Sequence, residues 1–263
     1  MVFTVWFPLV LWLLAEIMTL PSVYALDLEG DARGTDRKLV DGKVLASVKW
    51  GFAQLRSGLT MSGTVSRVAD ALYRSGCLKF GSFKIKSGAM SPYYIDLACL
   101  LSSPKDLCQI AEAAACEIKK IMTVDKIDKL ASIELKGALI LPSIGCLVNL
   151  PCIVVRKEEK AYGVTGRIAG AEVVKGDHVL FFDDVVSEGL SKLEGMKPLK
   201  ELGAEVKHLL VVVDREQGGM ENLEKLGYKV HALAKISELV SSLSASGSVT
   251  RDQAQTVLDY IKR

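Results

Sequence analysis

The sequence predicts an α/β fold with a central, mostly parallel sheet flanked by helices, and three observations carry that expectation. Short runs, nearly all apolar and rich in β-branched residues, recur along the chain: "KLASIEL", "PCIVVRK", "HVLFFDD" and "HLLVVVD". Strands that lack polar alternation are buried on both faces, as in parallel sheets covered by helices. Segments with helical periodicity alternate with these runs. Each run also ends in a polar, charged or glycine-bearing stretch, and ligands of such folds bind at the carboxyl ends of the strands. The 263 residues, 49% of them hydrophobic, suffice for a full core. A net charge of +2, with acids and bases interspersed, excludes the broad basic field that draws proteins onto nucleic acid. Any bound anion must then be held locally.

The leading stretch "MVFTVWFPLVLWLLAEIMTLPSVYA" has an apolar run as long as a signal-peptide core, with Val23 and Ala25 placed as in a cleavage site but no basic leading segment. Glu16 interrupts it short of the roughly 20 apolar residues that cross a bilayer. Three readings stay open: a signal or anchor, a membrane-independent apolar helix, or an extension upstream of the real start. Leu26 to about Met61 show no sustained period; residues 1–61 are expected to be a leader or linker, and residues 62–263 the domain. A membrane partner is expected only if the apolar segment acts as an anchor, and the expected location is the cytoplasm.

From Ser62 the pattern sharpens. "TVSRVADALYRSG" places Val65, Val68 and Leu72 on one helical face and stops at Gly76. "SPKDLCQIAEAAACEIKKIM" reads as a second helix with Ser103 as N-cap and Pro104 at its first position. The segment Leu139 to Asn149 reads as an apolar loop, and "SKLEGMKPLKELG" as a later helix. Cys77, Cys99, Cys108, Cys116, Cys146 and Cys152 form no C-x-x-C pair and stand near no histidine cluster, so buried free thiols are expected.

The stretches after Ile133, Val155, Phe182 and Val213 would share one mouth. After Phe182 come Asp183 and Asp184, then Ser187, Gly189 and Ser191 at a helix start. Small residues there expose backbone N–H groups at the positive end of the helix dipole, which suits phosphate. Ionised carboxylates are acceptors only, and they suit sugar hydroxyls. A ribose 5-phosphate fits both halves; an N-capped helix after a solvated acidic turn fits the loop alone equally. "RKEEKAYG" carries Arg156, Lys157 and Lys160 ahead of Gly163 and Gly166, as a cationic loop closing over pyrophosphate would, or as a solvated loop would. "ELKGAL" sets Lys136 and Gly137 directly after a strand.

Taken together, "DDVVSEGLSK" resembles the phosphoribosyl pyrophosphate (PRPP) signature of type I phosphoribosyltransferases. "KFGSFKIKSGAMSPYYIDL", "VRKEEKAYGVTGRIAG" and "KPLKELGAEVKHLLVVVDREQGG" resemble orotate phosphoribosyltransferase in that family's order, from about Thr64 to Leu239. The resemblance implies the type I phosphoribosyltransferase fold, with a small hood subdomain. It implies that Asp183 and Asp184 hold the ribose hydroxyls of PRPP. Val185, Val186, Ser187, Glu188, Gly189, Leu190 and Ser191 would complete the PRPP site, with the turn from Ser187 to Ser191 on the 5-phosphate. Lys136 and Gly137 match the pyrophosphate loop. Arg156, Lys157 and Lys160 match a catalytic loop that reaches into the partner of a homodimer, and Lys86, Ser187 and Arg215 match the orotate-binding positions. Mg2+ would travel with the pyrophosphate, and orotate would displace it to give orotidine 5′-monophosphate in pyrimidine biosynthesis. The chain departs from the family at Glu188, where threonine is usual, at Tyr162 (histidine) and at Ala98 (arginine). Two alternatives stay open at this point: a catalytically weak PRPP- or nucleotide-binding regulatory relative, and a phosphoribosyltransferase for another base.

Overall fold

The computed structural model describes residues 61–85, 88–160 and 166–262. Residues 1–60 of the segment expected as a leader, together with Lys86 and Tyr162, lie outside the described residues. Helix α1 (Met61–Arg74) opens the described fold, and the turn after it passes through Gly76, whose φ of 70° is left-handed. Val68 and Leu72 are fully buried in one core. An antiparallel pair, β1 (Leu78–Lys84) and β2 (Met90–Ile95), forms the hood, and a 3-10 helix (Leu97–Ser102) leads from it to α2 (Pro104–Ile121). Ser103 occupies the N-cap of α2 as the sequence predicts, but its hydroxyl caps no backbone amide. It donates instead to Asp106 Oδ2 at 2.6 Å.

The main sheet has the order β5-β4-β3-β6-β7-β8. Its strands are β3 (Lys129–Ile133), β4 (Cys152–Lys160), β5 (Gly166–Gly170), β6 (His178–Val186), β7 (Glu205–Asp214) and β8 (Lys229–Lys235). All neighbours pair in parallel except the edge strand β5, which runs antiparallel to β4. Alternation along β6 feeds two cores: Leu180 and Phe182 pack on one face, Val179 and Phe181 on the other. The same split separates Leu210 and Val212 from Leu209 and Val211 in β7. A strand apolar at every position is therefore what this sheet requires. Helices α3 (Lys136–Val148), α4 (Leu190–Glu201), α5 (Gly219–Lys225), α6 (Ile236–Ala245) and α7 (Arg251–Ile261) complete the layers.

Several expectations are corrected. Leu139 to Asn149 is not a loop; it belongs to α3, which tolerates Pro142 and ends with Asn149 in the left-handed conformation at φ 56°. Its residues Ile140, Leu141, Ile144 and Val148 are buried against the sheet, which is why the segment is so apolar. The cysteines are free, but only Cys77 is buried; Cys99 and Cys152 are half-buried and Cys108, Cys116 and Cys146 exposed. The exposed thiols fall on the solvent side of helices α2 and α3, where residue spacing alone gives no warning. Among the described residues no helix is long and apolar enough to cross a membrane.

All three histidines of the chain lie toward the amino ends of the strands. His208 Nε2 meets Asp125 Oδ2 at 3.0 Å and His208 Nδ1 meets His231 Nε2 at 3.1 Å, with the rings stacked. Burial lowers the pKa of both rings. A folded-state pKa below the unfolded value means the unfolded chain takes up protons first as pH falls. The pair's contribution to stability is thus complete above about pH 6.5 and declines below it. Asp183, raised by burial, titrates with the opposite sign, so a comparison isolates the histidines. We expect the fall in Tm between pH 7.5 and 5.5, followed by circular dichroism, to be smaller in His231→Phe than in wild type.

Candidate active site

The sheet order turns at β3: the chain passes from β3 to β4 on one side, then returns to place β6 on the other. The crevice outside the carboxyl ends of strands that flank such a reversal is where ligands of open α/β sheets bind. A cleft of about 560 Å³ opens there, lined among others by Lys136, Lys157, Arg167, Asp183, Asp184 and Ser191.

On the β3 side, the strand ends at Ile133, a cis peptide joins Glu134 to Leu135, and α3 starts at Lys136. Lys136 and Gly137 are therefore the first residues of a helix and not a free turn. Gly137 lies against β6: a Cβ on it would sit 2.4 Å from Ser132 Oγ, 2.7 Å from Asp183 Oδ1 and 2.9 Å from Asp183 Cα. Only glycine lets this loop approach the acid so closely. Lys136 Nζ pairs with Asp96 Oδ1 at 3.1 Å and stands over the Tyr94 ring at 5.8 Å. Burial pulls its pKa down, but Asp96 and the charge of Asp184 outweigh that and hold it above the ordinary lysine value. Asp96 also accepts from Ala98 N at 3.2 Å, so the residue that departs from the family contributes a backbone donor here.

On the β6 side the strand runs on through Val186, so Asp183 to Val186 are strand residues and the turn itself is Ser187 to Gly189. Backbone pairing with β7 out to Asp214 extends the strand past the acids. Asp183 is 5% exposed and Lys192 4% exposed, and the two form a buried ion pair. Lys192 also reaches within 4.0 Å of Asp184 Oδ1. Burial pushes the Asp183 carboxyl up to about 6, against the pull of Lys192. Gly189, at φ 91°, caps α4 without a side chain, which leaves the amides of the first turn bonded to no capping group. The turn is seated by Gly219 at the start of α5, where a Cβ would lie 2.3 Å from Ser187 O. Leu190 is 64% exposed at the helix start, and the Glu188 side chain is exposed while its carbonyl accepts from Asn222 Nδ2 at 3.5 Å.

On the β4 side, Arg156, Lys157 and Lys160 belong to the strand itself, a correction to the loop expected for them. Pairing with β5, from Val155 opposite Ile168 to Lys160 opposite Gly166, extends β4 through the charged run. Arg156 Nη1 donates to Gly166 O at 2.9 Å, Arg167 Nε donates to Arg156 O at 3.0 Å, and Lys157 N donates to Glu134 Oε1 at 2.8 Å. Residues 161–165 and the Lys160 side chain lie outside what the structure describes.

Arg215 and Ser187 form a neighbouring cluster beyond that cleft's lining. Arg215 Nε donates to Tyr93 OH at 3.2 Å, its Nη1 to Ser187 Oγ at 3.4 Å, and its guanidinium stands 5.1 Å from the Tyr93 ring centroid. The following residue, Glu216, takes a left-handed φ of 56° and accepts from Ser237 N at 2.9 Å, which anchors the segment to α6. Sequence reasoning missed Asp96, Tyr93, Glu134, Arg167 and Lys192. Lys192 lies nine residues after Asp183 in the sequence, and only the packing of α4 against the end of β6 brings the two together.

No protein-family model matches the chain. The orotate phosphoribosyltransferase of Pyrococcus abyssi is 40% identical over 172 residues, 65% of this chain and 93% of that protein. Among solved structures, Leishmania donovani UMP synthase superposes with a TM-score of 0.69 at 32% identity, covering 82% of this chain, which spans 46% of that longer one. The orotate phosphoribosyltransferase from Aeropyrum pernix superposes with a TM-score of 0.58 at 25% identity, covering 69% of this chain and 99% of that one. With the β3 and β6 ends meeting in one cleft, and a relative so similar covered along nearly its whole length, the chain belongs to the orotate phosphoribosyltransferase family, with the type I phosphoribosyltransferase fold.

Proposed function

We propose that this protein transfers ribose 5-phosphate from PRPP to orotate, releasing pyrophosphate and forming orotidine 5′-monophosphate. The observation that carries this reading is the convergence of Asp183 and Asp184 with Lys136, Lys157 and the start of α4 in one cleft. The carboxylates accept from the ribose hydroxyls. The uncapped amides at Ser187 to Ser191 take the 5-phosphate, and Lys136, Gly137 and Lys157 face the pyrophosphate. Arg215, held by Tyr93 and Ser187, offers a forked guanidinium to the carboxylate of the base. The side chains orient two anions, exclude water and stabilise charge on the departing pyrophosphate, and none needs to act as a nucleophile.

Magnesium is part of the proposal. Among the described residues no group of three or more His, Cys, Asp or Glu side chains converges on a metal site. Mg2+ would be held mainly through pyrophosphate oxygens and water, with Lys136 and Lys157 placing the pyrophosphate. When bound, it neutralises charge on the leaving group. We include a homodimer with shared active sites, supported by the exposed Met90, Tyr94 and Leu101 on the hood and 3-10 helix. A cytoplasmic setting goes with soluble, charged substrates. A domain boundary at residue 62 is supported by α1, which is packed into the core from Val65 onward.

Orotate-dependent, magnesium-dependent release of pyrophosphate from PRPP tests the reaction; PRPP binding with no release above background would sink it. Glu188 modulates it. An exposed carboxylate at the phosphate turn repels PRPP only through screened solvent. Glu188→Thr is expected to tighten PRPP binding by about 1 kcal/mol or less, with the gain shrinking as salt rises. Calorimetric titration at two ionic strengths checks this, and weaker binding in the variant would give Glu188 a positive role.

A further inference from the structure

We propose that Lys192 is a positioning residue for this reaction: its ammonium fixes the Asp183 carboxylate and offsets the charge of the Asp183–Asp184 pair, so that both acids can receive the ribose hydroxyls of a polyanionic substrate. The inference rests on the transferase reading. Its ground is that Lys192 stands where stability alone would not put it. It is the third residue of α4, at the positive end of the helix dipole, where a cation is disfavoured. It is 4% exposed, and desolvating an ammonium and a carboxylate together is commonly no better than packing apolar side chains in their place.

The cleft supplies the reason. An acid must be ionised to act purely as an acceptor for hydroxyls, yet two adjacent carboxylates repel a substrate that carries both a phosphate and a pyrophosphate. Lys192 touches Asp183 and comes within 4.0 Å of Asp184 while lining the same cleft as both. Lys136, the cation on the facing helix, is already engaged by Asp96. Glu134 and Glu194, also on the lining, add negative charge, and Lys157 and Arg167, on β4 and β5, add positive charge at its far side, where neither forms an ion pair with Asp183 or Asp184. Burial raises the Asp183 pKa and the attraction of Lys192 is the largest opposing influence. Removing the ammonium would leave burial and Asp184 to raise it further.

Lys192→Met removes the charge and keeps an unbranched chain. We expect its KM for PRPP to rise roughly 10-fold or more with the KM for orotate little changed. The acid limb of kcat/KM for PRPP should move to higher pH by about one unit. The titration of PRPP itself is common to all variants and cancels in the comparison. Lys192→Arg, which keeps the charge, should retain the wild-type acid limb. The double variant Asp183→Asn with Lys192→Met leaves no unpaired buried charge, so it remains informative even if Lys192→Met alone folds poorly. If Lys192 acts through Asp183, the double variant should match Asp183→Asn to within about 3-fold. An unchanged PRPP KM and acid limb in Lys192→Met, or losses that simply multiply in the double variant, overturn the proposal. PRPP binding by calorimetry needs no turnover: wild type that binds PRPP without forming product overturns the transferase reading alone, and the same binding comparison still decides Lys192.

Discussion

Gly137→Ala is expected to lower kcat/KM for PRPP by about two orders of magnitude, the usual effect of displacing a reacting constellation by about 1 Å. A methyl group there meets Ser132 Oγ at 2.4 Å, Asp183 Oδ1 at 2.7 Å and Asp183 Cα at 2.9 Å. Separations under 3 Å force a shift, and the β6 backbone at Asp183 is held by its pairing with Val211 of β7. The movement is expected at the start of α3, carrying Lys136 away from Asp96 and changing the distance between Lys136 and the acids proposed to hold the ribose. Stability should suffer less than activity. Overpacking costs about 1–3 kcal/mol, equivalent to a drop in Tm of about 2–12 °C for a domain of this size. Steady-state kinetics beside a thermal melt separate the two effects. Full activity would show that Gly137 has no part in aligning the loop with Asp183.

The second large effect is expected at Arg215. Its Nε and Nη1 are oriented by Tyr93 OH and Ser187 Oγ, and its plane is backed by the Tyr93 ring. Replacing it with alanine would remove the charge-assisted contact proposed for the carboxylate-bearing base, worth about 1.5–3 kcal/mol. The KM for orotate should rise by roughly 10- to 100-fold, with that for PRPP changed by less than about 3-fold. Arg215→Lys should recover little, because a point charge cannot reproduce the guanidinium fork. Equal rises for the two substrates would place Arg215 at the PRPP site instead.

The parts of this protein that the sequence discloses are those where one physical demand fixes several consecutive residues. "HVLFFDD" and "HLLVVVD" read as buried strands because both faces of β6 and β7 meet apolar cores. The acids after Phe182 and the small residues beyond them read as a candidate ribose phosphate site for the same kind of reason, and the fold sets Asp183, Asp184 and Ser191 in one cleft with Lys136 and Lys157. The illegible parts involve competing demands. In β8 "KVHALAK" mixes lysine and histidine with small apolar residues because it is an edge strand, and it gives no clear run. In α3 the helix is apolar over most of its surface and contains Pro142, so neither periodicity nor propensity reveals it. The charged run of β4 reads as a loop until its antiparallel partner β5 is seen. Lys192 looks like any solvated lysine in the first turn of a helix. Only the fold, by packing α4 against the end of β6, turns it into the buried partner of Asp183.

The ends of β3 and β6 are proposed to form one PRPP mouth, and a crystal structure of the protein with PRPP and magnesium is the decisive test. The expected result has the ribose hydroxyls within hydrogen-bonding distance of Asp183 and Asp184. The 5-phosphate should lie on the amides from Ser187 to Ser191, and the pyrophosphate beside Lys136 and Gly137. PRPP bound away from the Asp183–Asp184 pair, or lying in that cleft with its 5-phosphate off the α4 turn, would contradict it.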